Sequence, residues 1–363
     1  MKIGSLASPV QVTNTWTVAY DSGELSAATT SLTISNINGD VDEEYQLIIR
    51  HIGGTGTGNE GIRFNGDTGT NYGWQRLYGV STTAGASRNT ADNIIRFADG
   101  TLNNISLGEA IIYAKSGYVR TTINSVAGRI SGTTVDNVEK LGGSWNNTAD
   151  NITSITIPTF TTDGLGIGSR FILLKKVTST SGMKTGALEV QGSVYGTWQK
   201  VYSTTLDVAA TSVTISGLDG NTDVMYRVVV RKTFGSDSRG DVRLNNDSGS
   251  NYGYQEITGA GSSIAASRST TFSGILNAAG GATSFSGYIG MSETIIYAKS
   301  GYVRTALCST SRDISGTTVN NIMLVGCSWS NTTDNITNLV CNASVADGLG
   351  IGTYIYLEKL VLS

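Results

Sequence analysis

The run RFNGDTGTNYGWQ, Arg63 to Gln75, occurs a second time as RLNNDSGSNYGYQ, Arg243 to Gln255. Each run sets an arginine beside an apolar residue, then a cluster of Asn, Asp and Gly, then an aromatic alternation. Asn and Asp side chains bond their own backbone two residues on, and Gly accepts positive φ, so the cluster reverses the chain at little steric cost. Beyond the cluster the residues alternate with the period of a strand. Tyr72, Trp74, Arg76 and Tyr78 fall on one face, with Gly73, Gln75 and Leu77 on the other.

The repeat extends over the whole chain. MKIGSL at Met1 returns as MKTGAL at Met183, an offset of 182, and the Arg63 run returns at an offset of 180. IIYAKSGYVRT from Ile111 returns from Ile295, an offset of 184. SWNNTADNIT from Ser144 returns as SWSNTTDNIT from Ser328, and DGLGIGS from Asp163 as DGLGIGT from Asp347. Small slips of this kind belong in turns. Because the match includes the methionine, two copies of one reading frame are read as fused near Gly182, without a true linker. The expected domains are 1–182 and 183–363, each a sandwich with an N-terminal arm. A period this long marks a domain duplication and not a solenoid.

Within each copy, short stretches such as SLTIS, YQLIIR, YGWQRLY, EAIIYA, YVRTTIN, ITSITI and RFILLKK are rich in Ile, Val, Thr and Tyr and are separated by Gly, Asn, Asp and Ser. No stretch carries a long i, i+3, i+4 stripe with caps, so little helix is expected. The fold class is therefore all-β: two tandem antiparallel β-sandwich domains, jelly-roll-like, with another Greek-key sandwich as the alternative.

Composition bounds the function. The chain has 363 residues, 46 Gly and only 2 Pro, so its turns rest on Gly, Asn, Asp and Ser. A net charge of -3 and a pI near 5.3 give no electrostatic reason to expect nucleic acid as a partner. No apolar run approaches the ~20 residues of a membrane helix. The first residues lack a sustained apolar core and do not read as a secretory signal, so folding in a cytoplasm is expected.

The second copy acts as an internal control on the first. His51, the single histidine, corresponds to Lys232, so no chemistry shared by both halves needs it. Cys308, Cys327 and Cys341 correspond to Asn124, Gly143 and Ile157. An odd number confined to one half is no disulfide framework or zinc cluster, and free, partly buried thiols are expected. DGLGIGS runs into a strand and not into a helix, so it is a tight turn and not a phosphate cradle. NGDTGTN has alternating oxygen side chains, but the twelfth position from Asn65, where a calcium loop places its bidentate Glu, is Arg76. Shared carboxylates are Asp67/Asp247, Glu109/Glu293, Asp150/Asp334 and Asp163/Asp347, most of them in turns where backbone bonding accounts for them. A hydrolase would place its chemistry on Glu109 or Glu293. The expectation is a protein without catalytic residues, cofactor or metal. Tyr72, Trp74 and Arg76, with Tyr252 and Tyr254, could stack on sugar rings; the favoured reading is that they fill a core or a subunit contact, as half-buried strands require.

In order, RFNGDTGTNYGWQ, EAIIYAKSGYVRT, SWNNTADNITSI and DGLGIGSRFILLKK resemble a domain pattern of structural proteins in tailed-bacteriophage virions. The likeness covers Tyr45 to Lys176 and Tyr226 to Lys359. It implies a β-sandwich with a non-enzymatic, assembly-linked role in the virion: a capsid decoration or cement protein bound to the major capsid protein, or alternatively a tail or fibre module that binds host glycans. The residues agree, since a charged fraction of 15% with abundant Ser, Thr, Asn and Gly suits wide polar contact surfaces. A homo-oligomer is expected, with a trimer of these doubled chains presenting six similar domains.

Overall fold

The computed structural model describes residues 13–54, 58–100, 103–179, 198–234, 240–276, 288–315 and 318–362. The expected boundary near Gly182, Met183 and the N-terminal arms lie outside these residues. In chain order the first half runs β1 (Thr13–Asp21), β2 (Ser31–Ser35), β3 (Glu44–Ile52), β4 (Gly58–Phe64), β5 (Tyr72–Val80), β6 (Thr83–Asp92), β7 (Ile95–Gly100), β8 (Ile105–Tyr113), β9 (Arg120–Ser131), β10 (Thr134–Trp145), β11 (Ser154–Pro158) and β12 (Arg170–Ser179). One helical turn, α1 (Gly39–Asp42), precedes β3. All pairings are antiparallel, in a large sheet β1-β12-β3-β8-β9-β10-β5-β6 and a small sheet β2-β11-β4-β7.

Setting aside the hairpins β5–β6 and β9–β10 leaves β1-β12-β3-β8 facing β2-β11-β4-β7. That order is a jelly roll, two Greek keys rolled together, which settles the alternative left open by the sequence. The two hairpins widen the large sheet from four strands to eight. The second half repeats the plan with β13 (Trp198–Thr205), β14 (Ser212–Ser216), α2 (Gly220–Asp223), β15 (Met225–Thr233), β16 (Gly240–Leu244), β17 (Tyr252–Ala260), β18 (Ser263–Phe272), β19 (Ile275–Leu276), β20 (Ile289–Tyr297), β21 (Arg304–Ser315), β22 (Thr318–Trp329), β23 (Asn338–Ala343) and β24 (Tyr354–Leu360). Its sheets, β13-β24-β15-β20-β21-β22-β17-β18 and β14-β23-β16-β19, match strand for strand.

The core is threefold. Tyr45, Leu47, Ile49, Phe64, Tyr72, Trp145, Ile155 and Phe171 fill the first sandwich, and Tyr226, Val228, Leu244, Tyr252, Trp329, Leu339 and Ile355 the second. A third cluster joins the halves. Ile48, Leu107, Ala127, Val135 and Val138 from the outer face of the first large sheet pack with Met225, Ile257, Ile295, Leu307 and Leu324 from the second. The chain is thus four layers deep, small sheet to large, large to large, large to small. In β3, Leu47 and Ile49 point into their own sandwich while Ile48 points into the other half, so the strand is buried on both faces. That explains its continuous apolar run where a one-sided strand would alternate.

Candidate functional site

The turn that organises each half is built as its sequence requires. Asn65 and Gly66 take φ of 52° and 66°, turning the chain out of β4. Asp67 then accepts from the Gly69 amide (2.8 Å), the Asn71 side chain (2.9 Å) and Trp145 Nε1 (2.8 Å). Burial raises the Asp67 pKa, but these hydrogen bonds outweigh it and hold the carboxyl below its ordinary value. Each oxygen thus accepts at least one donor from the turn or the core. Asp247 repeats every bond, with Trp329 Nε1 at 2.7 Å.

The other shared motifs are also accounted for by the fold. Arg120, from YVRT, is fully buried and donates to the carbonyls of Tyr118 (3.1 Å), Asn147 and Asp150, with its guanidinium 5.5 Å from the Trp145 ring centre. It thereby pins the SWNNTADN loop, and Arg304 does the same to Asn331 and Asp334. In DGLGIG, Asp163 takes a φ of 53° and Leu165 bridges Thr29 and Gly53, confirming a turn.

Of the five residues singled out for partner contact, Tyr72, Trp74 and Arg76 do share one strand face, and that face points inward. Tyr72 is fully buried, accepts from the Phe64 amide at 3.0 Å and stacks on Trp145 at 6.2 Å. Trp74 packs on the first core and donates to Asp92 at 2.8 Å. Arg76 pairs with buried Glu139 at 2.9 Å. Tyr252 and Tyr254 are buried, Tyr254 edge-on to Phe272 at 5.2 Å. These rings fill the sandwich, so a glycan cannot stack on Tyr72, Tyr252 or Tyr254 as placed.

His51 is buried too, its Nε2 3.0 Å from the Gly164 carbonyl and its Nδ1 3.2 Å from Glu60 Oε1, and burial pushes its pKa down to about 4. The three cysteines are buried and form no disulfide, and burial pushes the Cys341 thiol up to about 12 and Cys327 well above its ordinary value. A thiolate is the reactive form. A disulfide-exchange reagent is therefore expected to label none of the three in the folded chain and all three after denaturation; labelling of the native chain would place a thiol at the surface.

Of the shared carboxylates, Glu109 and Glu293 meet between the halves. Glu109 accepts from Gln46 Nε2, and Lys140, two strands away on β10, donates at 2.6 Å to Ser125 on the strand between them. Burial raises the Glu109 pKa, the Gln46 hydrogen bond opposes this, and the facing Glu293 raises it further; Lys140 and Arg227 act to lower it. A carboxyl held above its unfolded value favours the fold below 4.5, and that contribution is lost as pH rises through the folded value. Glu109→Gln keeps an acceptor for Gln46 and removes the charge. We expect it to raise the melting temperature at neutral pH and leave it unchanged in acid; an equal effect at both would show that Glu109 does not titrate there.

Two clefts open on the outer faces of the large sheets. One, of about 620 Å³, has Gln75, Arg88, Asn89, Thr121, Ser144 and Asn146 among its walls, together with Trp74 and Val119. The other, of about 590 Å³, lies between the halves, with Leu77 and Lys140 on one side and Ile264, Met291, Glu293 and Ile322 on the other. The cleft that reaches Glu293 is mostly apolar, which is poor support for a hydrolase of polysaccharides. The sequence hid both clefts, since they lie on the face of β5 opposite the aromatic one.

No protein-family model and no curated protein matches the sequence. Among solved structures the chain is similar to domains LG4-5 of the mouse laminin alpha1 chain, at 10% identity and a TM-score of 0.22, over 99% of this chain and 95% of that one. It is also similar to the LG1-3 region of the laminin alpha2 chain, at 10% identity and a TM-score of 0.21, over 92% and 68%. The jelly-roll assignment rests on the strand order and not on these likenesses.

Proposed function

We propose that the chain is a non-enzymatic structural protein of a tailed-phage virion, acting as a decoration or cement protein on the capsid lattice. The observation that carries the non-enzymatic part is that the motifs shared by both halves hold the sandwiches together. Asp67 anchors Trp145, Arg120 clamps the loop after β10, and Tyr72 fills the core. What remains for function is surface, and two fused jelly rolls offer a broad one. The virion assignment comes from the motif resemblance. Capsids assembled without the chain are the test: saturable co-sedimentation with them and a raised rupture temperature support the proposal, and free chain that never joins particles removes it. Solution mass tests the trimer, with three times 38.0 kDa expected.

A second reading, a tail or fibre module for host glycans, has one observation in its favour. The cleft beside Gln75 and Arg88 offers amide and guanidinium groups of the kind that bind sugar hydroxyls. On a glycan array this reading predicts binding lost with Gln75→Ala; Trp74→Ala tests the same strand from its inner side.

A further inference from the structure

The two halves carry matching residues on the outer faces of their large sheets, and the structure uses them unequally. Leu107, Val135 and Val138 of the first half are at most 1% exposed, buried against the second. The residues 184 positions on, Met291, Val319 and Ile322, are 51%, 54% and 61% exposed. The receiving side shows the reverse imbalance. Leu307 is buried and Val303 packs on the shared cluster, whereas their counterparts Ile123 and Val119 are exposed.

The glycines report the same asymmetry. A Cβ on Gly326 would lie 2.4 Å from Ala127 Cβ, and one on Gly253 would lie 1.5 Å from the Thr133 carbonyl oxygen. Their counterparts are open: Gly142 has nothing within 4 Å, and the nearest atom to Gly73 is Ser144 Oγ at 3.2 Å, within its own half. A polar contact shows the same inequality. The Arg50 guanidinium lies 3.9 Å from the Tyr302 ring centre, while Arg231 and Tyr118, which correspond to them, are both exposed. The large sheets therefore form a wedge. They touch where the β9–β10 turn of the first half meets the start of β17 and the end of β22, and they part at the opposite end.

Two equivalent ends, one sealed and one open, carry surfaces of the same chemistry, and the sealed end shows what fits the open one. We propose that the two jelly rolls rock as rigid bodies about the middle of their shared face, closing the open end in a second state. Met291, Val319 and Ile322 then seat against Val119 and Ile123, as Leu107, Val135 and Val138 seat against Val303 and Leu307. Rocking exchanges the apolar surface covered at one end for the matching surface at the other, so the two states lie close in energy, and the separate core of each half lets it move as a unit. Closure brings Ser311 over Gly142, as Ala127 lies over Gly326. Both clefts on the outer faces are features of the open state. The inference rests on the fold and stands or falls apart from any virion role.

The test uses the full chain carrying Gly142→Cys and Ser311→Cys, whose native thiols are buried. Mild oxidation of the folded protein is expected to link positions 142 and 311 and to slow peroxide oxidation of Met291. Spin labels at the same positions should give two distances, the shorter lost when Ile322→Glu places a charge in the closing surface. A folded double variant that stays reduced under oxidant and shows one long distance overturns the proposal.

Discussion

Arg120→Ala is expected to destabilise the chain by about 3 kcal/mol, because it removes a buried charged donor from several carbonyls at once and leaves a cavity over Trp145. Charge alone does not explain the site, so Arg120→Lys should recover only part of the loss: one ammonium cannot reach the carbonyls on both sides of the loop that the planar guanidinium spans. Arg304→Ala should cost a similar amount, since Arg304 repeats the bonds to Asn331 and Asp334 and the contact with Trp329 at 5.5 Å. Thermal or denaturant unfolding measures both. Wild-type stability in either variant would show that the loop holds itself.

Gly253→Ala is expected to destabilise by about 2 kcal/mol or more, and Gly73→Ala at the matched position by about 0.5 kcal/mol or less. The first sets a methyl against the Thr133 carbonyl oxygen, which belongs to the other half; the second meets the flexible Ser144 hydroxyl at 3.2 Å and backbone of Asn89 and Thr90 at ordinary contact distance. Neither glycine has positive φ, so backbone strain does not separate them. The difference between the two variants isolates the contact between halves from everything the halves share. Equal losses at both positions would mean that the Thr133 turn does not rest on β17.

The duplication, the all-β class and the principal strands were legible because they depend on local pattern. YQLIIR, YGWQRLY and RFILLKK lie within β3, β5 and β12. β10 escaped notice because its run TVDNVEKLGGSW buries Asn137 and Glu139, polar residues made tolerable by Arg76 from the adjacent strand. Alternation in β5 was legible, but period two separates the faces without saying which is inside, so the favoured reading left a core and a subunit contact both open. The third core had a trace in the unbroken runs LII and FILL, whose length without alternation marks strands covered on both sides. The wedge had no trace. Val138 and Ile322 are alike as residues, and only the placing of one half on the other makes the first buried and the second exposed.

Calorimetry of the intact chain tests most directly whether the two jelly rolls are one body joined through their large sheets. The shared cluster of Leu107, Val138, Ile257 and Leu307 predicts a single transition whose van't Hoff enthalpy equals the calorimetric enthalpy of the whole chain, displaced as one by Gly253→Ala. Two transitions, each carrying about half the heat and only one of them moved by that substitution, would contradict it.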